Sequence, residues 1–441
     1  GNMYKKVDYS DYQDKAGVWM PETLTMTQKH ADDPKPYTSV TKYCYDDKGN
    51  VISSTTNYGT DLALTTASTY DAYGNVISSV TSGRDVKKIT KYNDYDESGR
   101  FVKKSYTSPS SSVNTFTYDL WGNLLTVNDE TDASNILTTT YTYDGWGSRL
   151  TALQADGTRT TYETGWGTND SHKYYTKEST TGKPPVTTWY DKGGHEVLQE
   201  TFGFKGLPIS KTTTYNSNSQ ISRVENKTGK LILTRNLTYD ERGRVATDVQ
   251  SSGKSVSYSY GNRSVTMTTA GRSYTKVFDA WGNVIRSTDP ICEVVYQYSS
   301  VGKPSSVTTQ GSSVTMTYDA AGNQKSMSDP DAGTSQYTYA ADGTLQTQTD
   351  GRGIETNYHY DDLGRLASTQ IGQSSIAYTY GTTGNEKLRL TKLSVGNHSV
   401  EYTHDRFGRV VTEKRNVDGY GTYCFSYAYN SNNQLVKTTY P

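Results

Sequence analysis

The six-residue stretch Tyr70-Asp71-Ala72-Tyr73-Gly74-Asn75 recurs along this chain at a nearly fixed period. It returns as Tyr45-Asp46-Asp47-Lys48-Gly49-Asn50, Tyr118-Asp119-Leu120-Trp121-Gly122-Asn123 and Phe278-Asp279-Ala280-Trp281-Gly282-Asn283. It returns again as Tyr318-Asp319-Ala320-Ala321-Gly322-Asn323 and Tyr360-Asp361-Asp362-Leu363-Gly364-Arg365. Sixteen copies open at Tyr45, Tyr70, Tyr95, Tyr118, Tyr143, Tyr190, Tyr215, Tyr239, Phe278, Tyr298, Tyr318, Tyr339, Tyr360, Tyr380, His404 and Tyr429. Most steps are 20 to 25 residues; of the long gaps (47, 39 and 44), Tyr380 splits the last, and degenerate copies at Tyr162 and Tyr260 would split the others. Such a period signals a repeat architecture, in which each copy is one supersecondary unit stacked on its neighbours.

Each copy reads as the tip of a β-hairpin. An Asp at the first corner hydrogen-bonds backbone amides a few residues on. Two residues then make a type I turn, and glycine takes the left-handed conformation that a Cβ resists. Asp46 and Gly49, Asp71 and Gly74, Asp119 and Gly122, Asp279 and Gly282, Asp319 and Gly322, and Asp361 and Gly364 are such structural turn residues. Only Ser219 and Asn433 replace the glycine; Asn tolerates the geometry, and the Ser219 copy is the weakest. The flanks alternate as strands do, with aromatics two apart, as in Tyr43 and Tyr45 or Tyr358 and Tyr360, sharing one face. Eleven of the sixteen copies place an apolar residue two positions past the glycine, such as Val51, Leu124 or Val410, so the outgoing strand also has a face to bury.

This Tyr-Asp-x-x-Gly-Asn/Arg series resembles the YD repeats of the Rhs family, over roughly residues 40 to 441. That family includes bacterial Rhs proteins, wall-associated proteins, the shell-forming subunits of insecticidal Tc toxins, and teneurins. The resemblance implies a hollow β-shell that encloses a toxic or unfolded polypeptide. It also implies a secreted or cell-surface location in a bacterium, and an association of the repeats with carbohydrate. Family members often carry a self-cleaving aspartyl protease segment after the repeats. Nothing here matches it, so no enzymatic activity is expected.

Composition narrows the alternatives. The 39 Tyr against 7 Phe, with hydrophobic content of only 32%, predict thin layers or a wetted face rather than a thick oily core, because each Tyr hydroxyl needs a partner. Forty-five basic and 46 acidic residues leave a net charge of -1, which argues against nucleic acid as a partner. No apolar run is long enough for a membrane span. Cys44, Cys292 and Cys424 are scattered and make neither a disulfide framework nor a zinc spacing.

In chain order, residues 1–40 read as an irregular N-terminal lead-in or cap, with Asp32-Asp33-Pro34-Lys35-Pro36 as a loop signal. Residues 41–441 read as a single array of about 16–18 repeats, with a possible insertion at 151–190, and the whole reads as a fragment of a longer protein. The fold class expected is all-β: tandem YD-repeat β-hairpins in one continuous curved or spiralling antiparallel sheet, a partial β-shell. Side by side, some 36 strands would run to ~170 Å, and sheets of that size twist rather than stay flat. A β-propeller is the rival, but similar steps come in runs instead of alternating as four-stranded blades would require.

The repeated Asp is a turn cap, not one of many catalytic or metal-binding carboxylates. The six His lack ligand spacing, and no EF-hand, Walker loop or His-Glu-x-x-His occurs, so no metal, cofactor or catalytic residue is expected. One constellation points to a ligand. Trp121, Trp146 and Trp281 share the fourth motif position with Tyr73 and Phe407, at hairpin tips. Such rings either stack on carbohydrate or pack on the neighbouring turn. The leading expectation is a non-enzymatic structural module that encloses or displays other domains of its full-length protein, with toxin cargo among them. The alternative is a carbohydrate-binding adhesion module that uses the tip aromatics.

Overall fold

A computed structural model describes residues 3–441. It is all-β. Thirty-eight strands make one sheet in which strands consecutive in the chain pair antiparallel almost throughout, and two single 3-10 turns are the only helical pieces among the described residues. The sheet does not break into four-stranded blades, so the fold is a strip of hairpins and not a propeller.

The motif turn explains why the strip forms. In the first copy, Asp46 N donates to Asn50 O (2.9 Å) and Gly49 N to Asp46 O (3.2 Å). The Asp46 carboxylate fills the corner: Oδ1 accepts from the amides of Lys48 (2.9 Å) and Asn50 (2.8 Å), and Oδ2 from Asn50 Nδ2 (2.8 Å). The same three bonds recur at Asp71, Asp119, Asp279 and Asp319. Where Arg replaces Asn at the sixth position, its guanidinium reaches the same Oδ2, as in Asp240–Arg244, Asp361–Arg365 and Asp405–Arg409. All sixteen copies place a positive φ at the fifth position, Ser219 (59°) and Asn433 (61°) included. The turn puts one extra residue in the outgoing strand, a β-bulge that pins the register: Tyr45 faces Val51 while Cys44 faces Ser53.

The two faces of the strip are held differently. On one, the motif tyrosine reaches over the preceding hairpin and donates its hydroxyl to the backbone carbonyl at that hairpin's bulge. Tyr70 bonds Val51 O (2.6 Å), Tyr215 bonds Glu196 O (2.9 Å), Tyr239 bonds Ile221 O (2.7 Å), Tyr360 bonds Leu345 O (2.8 Å) and Tyr429 bonds Val410 O (3.0 Å). On the other face, the residue before the tyrosine pairs hydroxyl to hydroxyl across the hairpin, as in Thr117–Thr126, Thr142–Thr151, Thr238–Thr247 and Thr338–Thr347, each at 2.7 Å. Few hydrophobic side chains are buried among the described residues: Leu62, Val256, Tyr298, Ala340 and Ala341. Polar ladders and half-buried rings therefore do much of the work of a core.

The chain divides into two compact units. One comprises Gly1–Thr138, Tyr296–Asn430 and Gln434–Pro441; the other comprises Thr139–Val295 and Ser431–Asn433. The uniform repeat period gave no sign of this division, because it records hairpins and not which hairpins pack together.

Four local expectations are corrected. Residues 1–40 are not an irregular lead-in: Tyr4–Lys15 and Val18–Lys29 form a long hairpin, turned by Ala16 and Gly17 in left-handed conformation. Its first strand is exposed nearly throughout, so no apolar alternation betrays it. The insertion expected at 151–190 never leaves the sheet; Arg159–Asn169 and His172–Thr180 form an elongated hairpin. Tyr162 therefore sits within a strand and opens no turn, whereas Tyr260, before a two-residue turn of another type, still bonds Val245 O (2.8 Å). The Tyr380 copy swells into a loop that closes from Gly381 N to Arg389 O and holds one 3-10 turn.

Two outcomes follow for denaturant melts. Gly122 and Gly282 both have strongly positive φ, but a Cβ at Gly122 would lie 2.7 Å from the Phe101 ring, whereas one at Gly282 meets nothing within 4 Å. Gly282→Ala should cost about 1–2 kcal/mol, and Gly122→Ala clearly more; equal costs would show that the ring yields freely. Tyr360→Phe should cost about 1 kcal/mol, for the carbonyl it leaves unpaired. Burial pushes the phenols of Tyr118, Tyr318 and Tyr360 up. The unfolded chain then ionises first as pH rises past about 10, so stability should fall with pH in that range.

Candidate functional surface

The tip aromatics do not form one uniform row. Tyr73 is 68% exposed, yet its ring covers Gly99 and its hydroxyl donates to Glu97 O (3.3 Å) in the neighbouring turn. Phe407 is half-buried beside the guanidinium groups of Arg406 (5.2 Å) and Arg409 (5.1 Å). Trp281 is half-buried too. Trp121 and Trp146 stand almost wholly in solvent, at 91% and 94% exposure. Tyr73, Trp121 and Phe407 belong to one unit, Trp146 and Trp281 to the other. The tips thus stand in three environments, set by whether a neighbouring turn or arginine lies within reach of the ring.

Among the described residues, no three His, Cys, Asp or Glu side chains gather as a metal site, and no helix is long and apolar enough to cross a membrane. The turn aspartates are saturated by hydrogen bonds. Ser98's hydroxyl and the amides of Phe101 and Arg100 hold the Asp96 carboxyl down at about 2. Asn50 and Asn123 likewise keep Asp46 and Asp119 below the usual carboxylate range. Such groups are poor proton donors or acceptors near neutral pH.

The most enclosed polar cluster lies elsewhere, in a seam that joins distant segments of the first unit. The loop after the first hairpin carries it. His30 and Ser300 are each 1% exposed. His30 N donates to Ser300 Oγ (3.1 Å), Ser300 Oγ donates to Lys35 O (2.7 Å), and Ser300 N donates to Asp33 Oδ2 (2.6 Å). Further along, Tyr37's hydroxyl bonds Ala320 O (3.1 Å) and Arg84 Nη2 bonds Tyr339 O (2.9 Å). Ala341 N bonds Arg84 O (2.9 Å), Asn135 Nδ2 bonds Arg406 O (2.8 Å) and Lys387 Nζ reaches Thr131 O. These partners are 255 to 283 residues apart in sequence. Ala340 and Ala341, 0% and 4% exposed, supply the small side chains that permit close approach; a Cβ on Gly83 would lie 2.7 Å from that of Ala341. The stretch Asp32-Asp33-Pro34-Lys35-Pro36, in sequence only a loop signal, is what carries this seam. Its usable signal is a pair of acceptor carboxylates beside prolines that hold the chain extended.

A single-sheet strip of β-hairpins, stitched to itself along a polar seam within one unit, defines a repeat-built all-β fold. The fold is that of three solved TcdB2-TccC3 structures. The form without its hypervariable C-terminal region matches at a TM-score of 0.64 with 13% identity, covering 95% of this chain and 27% of that one. TcdB2-TccC3-TEV matches at 0.58 and TcdB2-TccC3-Cdc42 at 0.52, also at 13% identity, covering 95% and 96% of this chain. The chain spans about a quarter of the length of each. No family model and no curated protein matches it.

Ser300→Ala should weaken the seam by roughly 1–3 kcal/mol, since it leaves buried partners of the hydroxyl unpaired. The effect should appear as faster amide exchange at residues 30–37 and 298–303, with the remaining hairpins unchanged. Uniform exchange changes would mean that the seam is no separate element. Burial would raise the Asp33 carboxyl, but the amides of Ser300 and Lys35 outweigh it and hold it low. Its contribution is therefore complete above the ordinary carboxylate pKa and fades as pH falls through the lowered one, so the seam should loosen selectively in acid.

Proposed function

We propose that this chain is a structural, non-enzymatic segment of a bacterial surface or toxin-delivery protein, whose work is to build β wall that encloses or displays other domains of a larger assembly. The observation that carries this reading is the seam: within the first unit the hairpin strip bonds to its own earlier segments 255 to 283 residues back. A binding module needs only a presented surface; strip-to-strip closure is what a wall needs. The likeness to TcdB2-TccC3 over 95% of the chain supports the same reading at the level of fold. The YD motif series supports it independently from the residues. In this role the Asp–Gly turns set hairpin register, the tyrosines bind each hairpin to the last, and the seam residues join successive courses. The partners are other parts of the same assembly, polypeptide cargo among them, and the location is secreted or at the cell surface.

Small-angle X-ray scattering on the purified chain tests the wall. A compact globule of 441 residues has a radius of gyration near ~22 Å. The wall reading expects a clearly larger value and a broad distance distribution. A value at the globular estimate overturns it.

A further inference from the structure

The elongated hairpin Arg159–Asn169 and His172–Thr180 is built unlike the repeats around it, and its two faces differ in how their charges are used. On one face everything is paired. Tyr175's hydroxyl donates to Glu163 (2.6 Å), Lys177 pairs with Glu163 (3.5 Å), and Trp189 Nε1 donates to Glu200 (3.2 Å). Tyr175 packs against Trp189 at 4.9 Å and across Gly165, where a Cβ would lie 2.4 Å from its ring.

The opposite face opens into a groove of about 710 Å³, wholly within the second unit. Cross-strand pairs floor it: Tyr162 faces Glu178, Thr164 faces Thr176, and Thr176 and Gln199 each face Thr188. Arg149 stands at its end. Its guanidinium lies 4.8 Å over the Tyr141 ring, Tyr143 faces it across the hairpin, and Tyr162 lines the same groove. One ring thus backs this cation and two further tyrosines stand beside it, yet no carboxylate neutralises it among the described residues. Glu178 and Lys183 line the same groove, also without an ion-pair partner there.

A guanidinium stacked on a ring and lacking a carboxylate partner is suited to a carboxylate, and the threonine hydroxyls and the Gln199 amide are suited to peptide groups. Charges of both signs decide the ligand class. Glu178 would repel a polyanion seated on Arg149, whereas a polypeptide can set a carboxylate on Arg149 and a cation or amide by Glu178. We propose that this groove binds an extended polypeptide segment of mixed charge, with Arg149 receiving a side-chain carboxylate. The site lies beyond the wall-building role and does not depend on it.

The test is a saturation-transfer NMR titration of the full chain with two blocked pentapeptides, Ala-Glu-Thr-Lys-Ala and its twin with Gln in place of Glu. The wild type should bind the Glu peptide about tenfold more tightly than its twin. Arg149→Gln should bind both alike, Arg149→Lys should keep part of the preference, and Arg272→Gln, an exposed control outside the groove, should keep all of it. A preference that survives in Arg149→Gln overturns the proposal, as does absence of binding to the wild type. Trigalacturonate that binds through Arg149 more tightly than the peptide overturns the polypeptide class in favour of an acidic saccharide. The scattering profile of Arg149→Gln should match the wild type, so failure of the groove and failure of the wall are told apart.

Discussion

The structure depends on one capped turn. Asp at the corner satisfies the amides of the bend with one carboxylate oxygen and the Asn or Arg four residues on with the other. The left-handed residue that follows creates the bulge, and the bulge sets the register of both strands. Register matters because a slip of one residue would exchange the tyrosine face for the threonine face along the whole strand. Repeated at every copy, the turn keeps the same two faces in phase across the sheet.

Phase is what allows the second level of organisation. Because the motif tyrosines stand on the same face, hydroxyls such as those of Tyr70, Tyr239 and Tyr360 find the carbonyl at the preceding bulge. The bond runs between repeats and not within one, so it converts a row of hairpins into a strip. It also accounts for the tyrosine-rich composition: phenylalanine would cover the same area but leave that carbonyl unserved. Tyr260 shows the priority, since it keeps the bond although its own turn has changed type. Third comes the seam, where His30, Asp33, Ser300 and the small pair Ala340–Ala341 close one course of the first unit against another.

Much of this was legible because it is local. The turns, the alternating strands and the absence of blades followed from residues no more than a repeat apart. What escaped the sequence was of two kinds. Elements without apolar alternation were invisible: the polar strand Tyr4–Lys15 and the long hairpin around Gly165 looked like lead-in and insertion. Environments created by a neighbour were ambiguous: nothing in the motif says that Tyr73 will lie on Gly99 while Trp121 stands in solvent.

The sequence by itself therefore determined the unit, its register and the fact of its repetition, because those rest on hydrogen bonds between residues four or five apart and on the one left-handed position each turn requires. Only the tertiary structure decided which hairpins meet across 255 to 283 residues, where the chain divides into two units, and which charges, such as Arg149 and Glu178, end in one groove. Those outcomes depend on twist accumulated over many strands, a quantity that no single repeat contains.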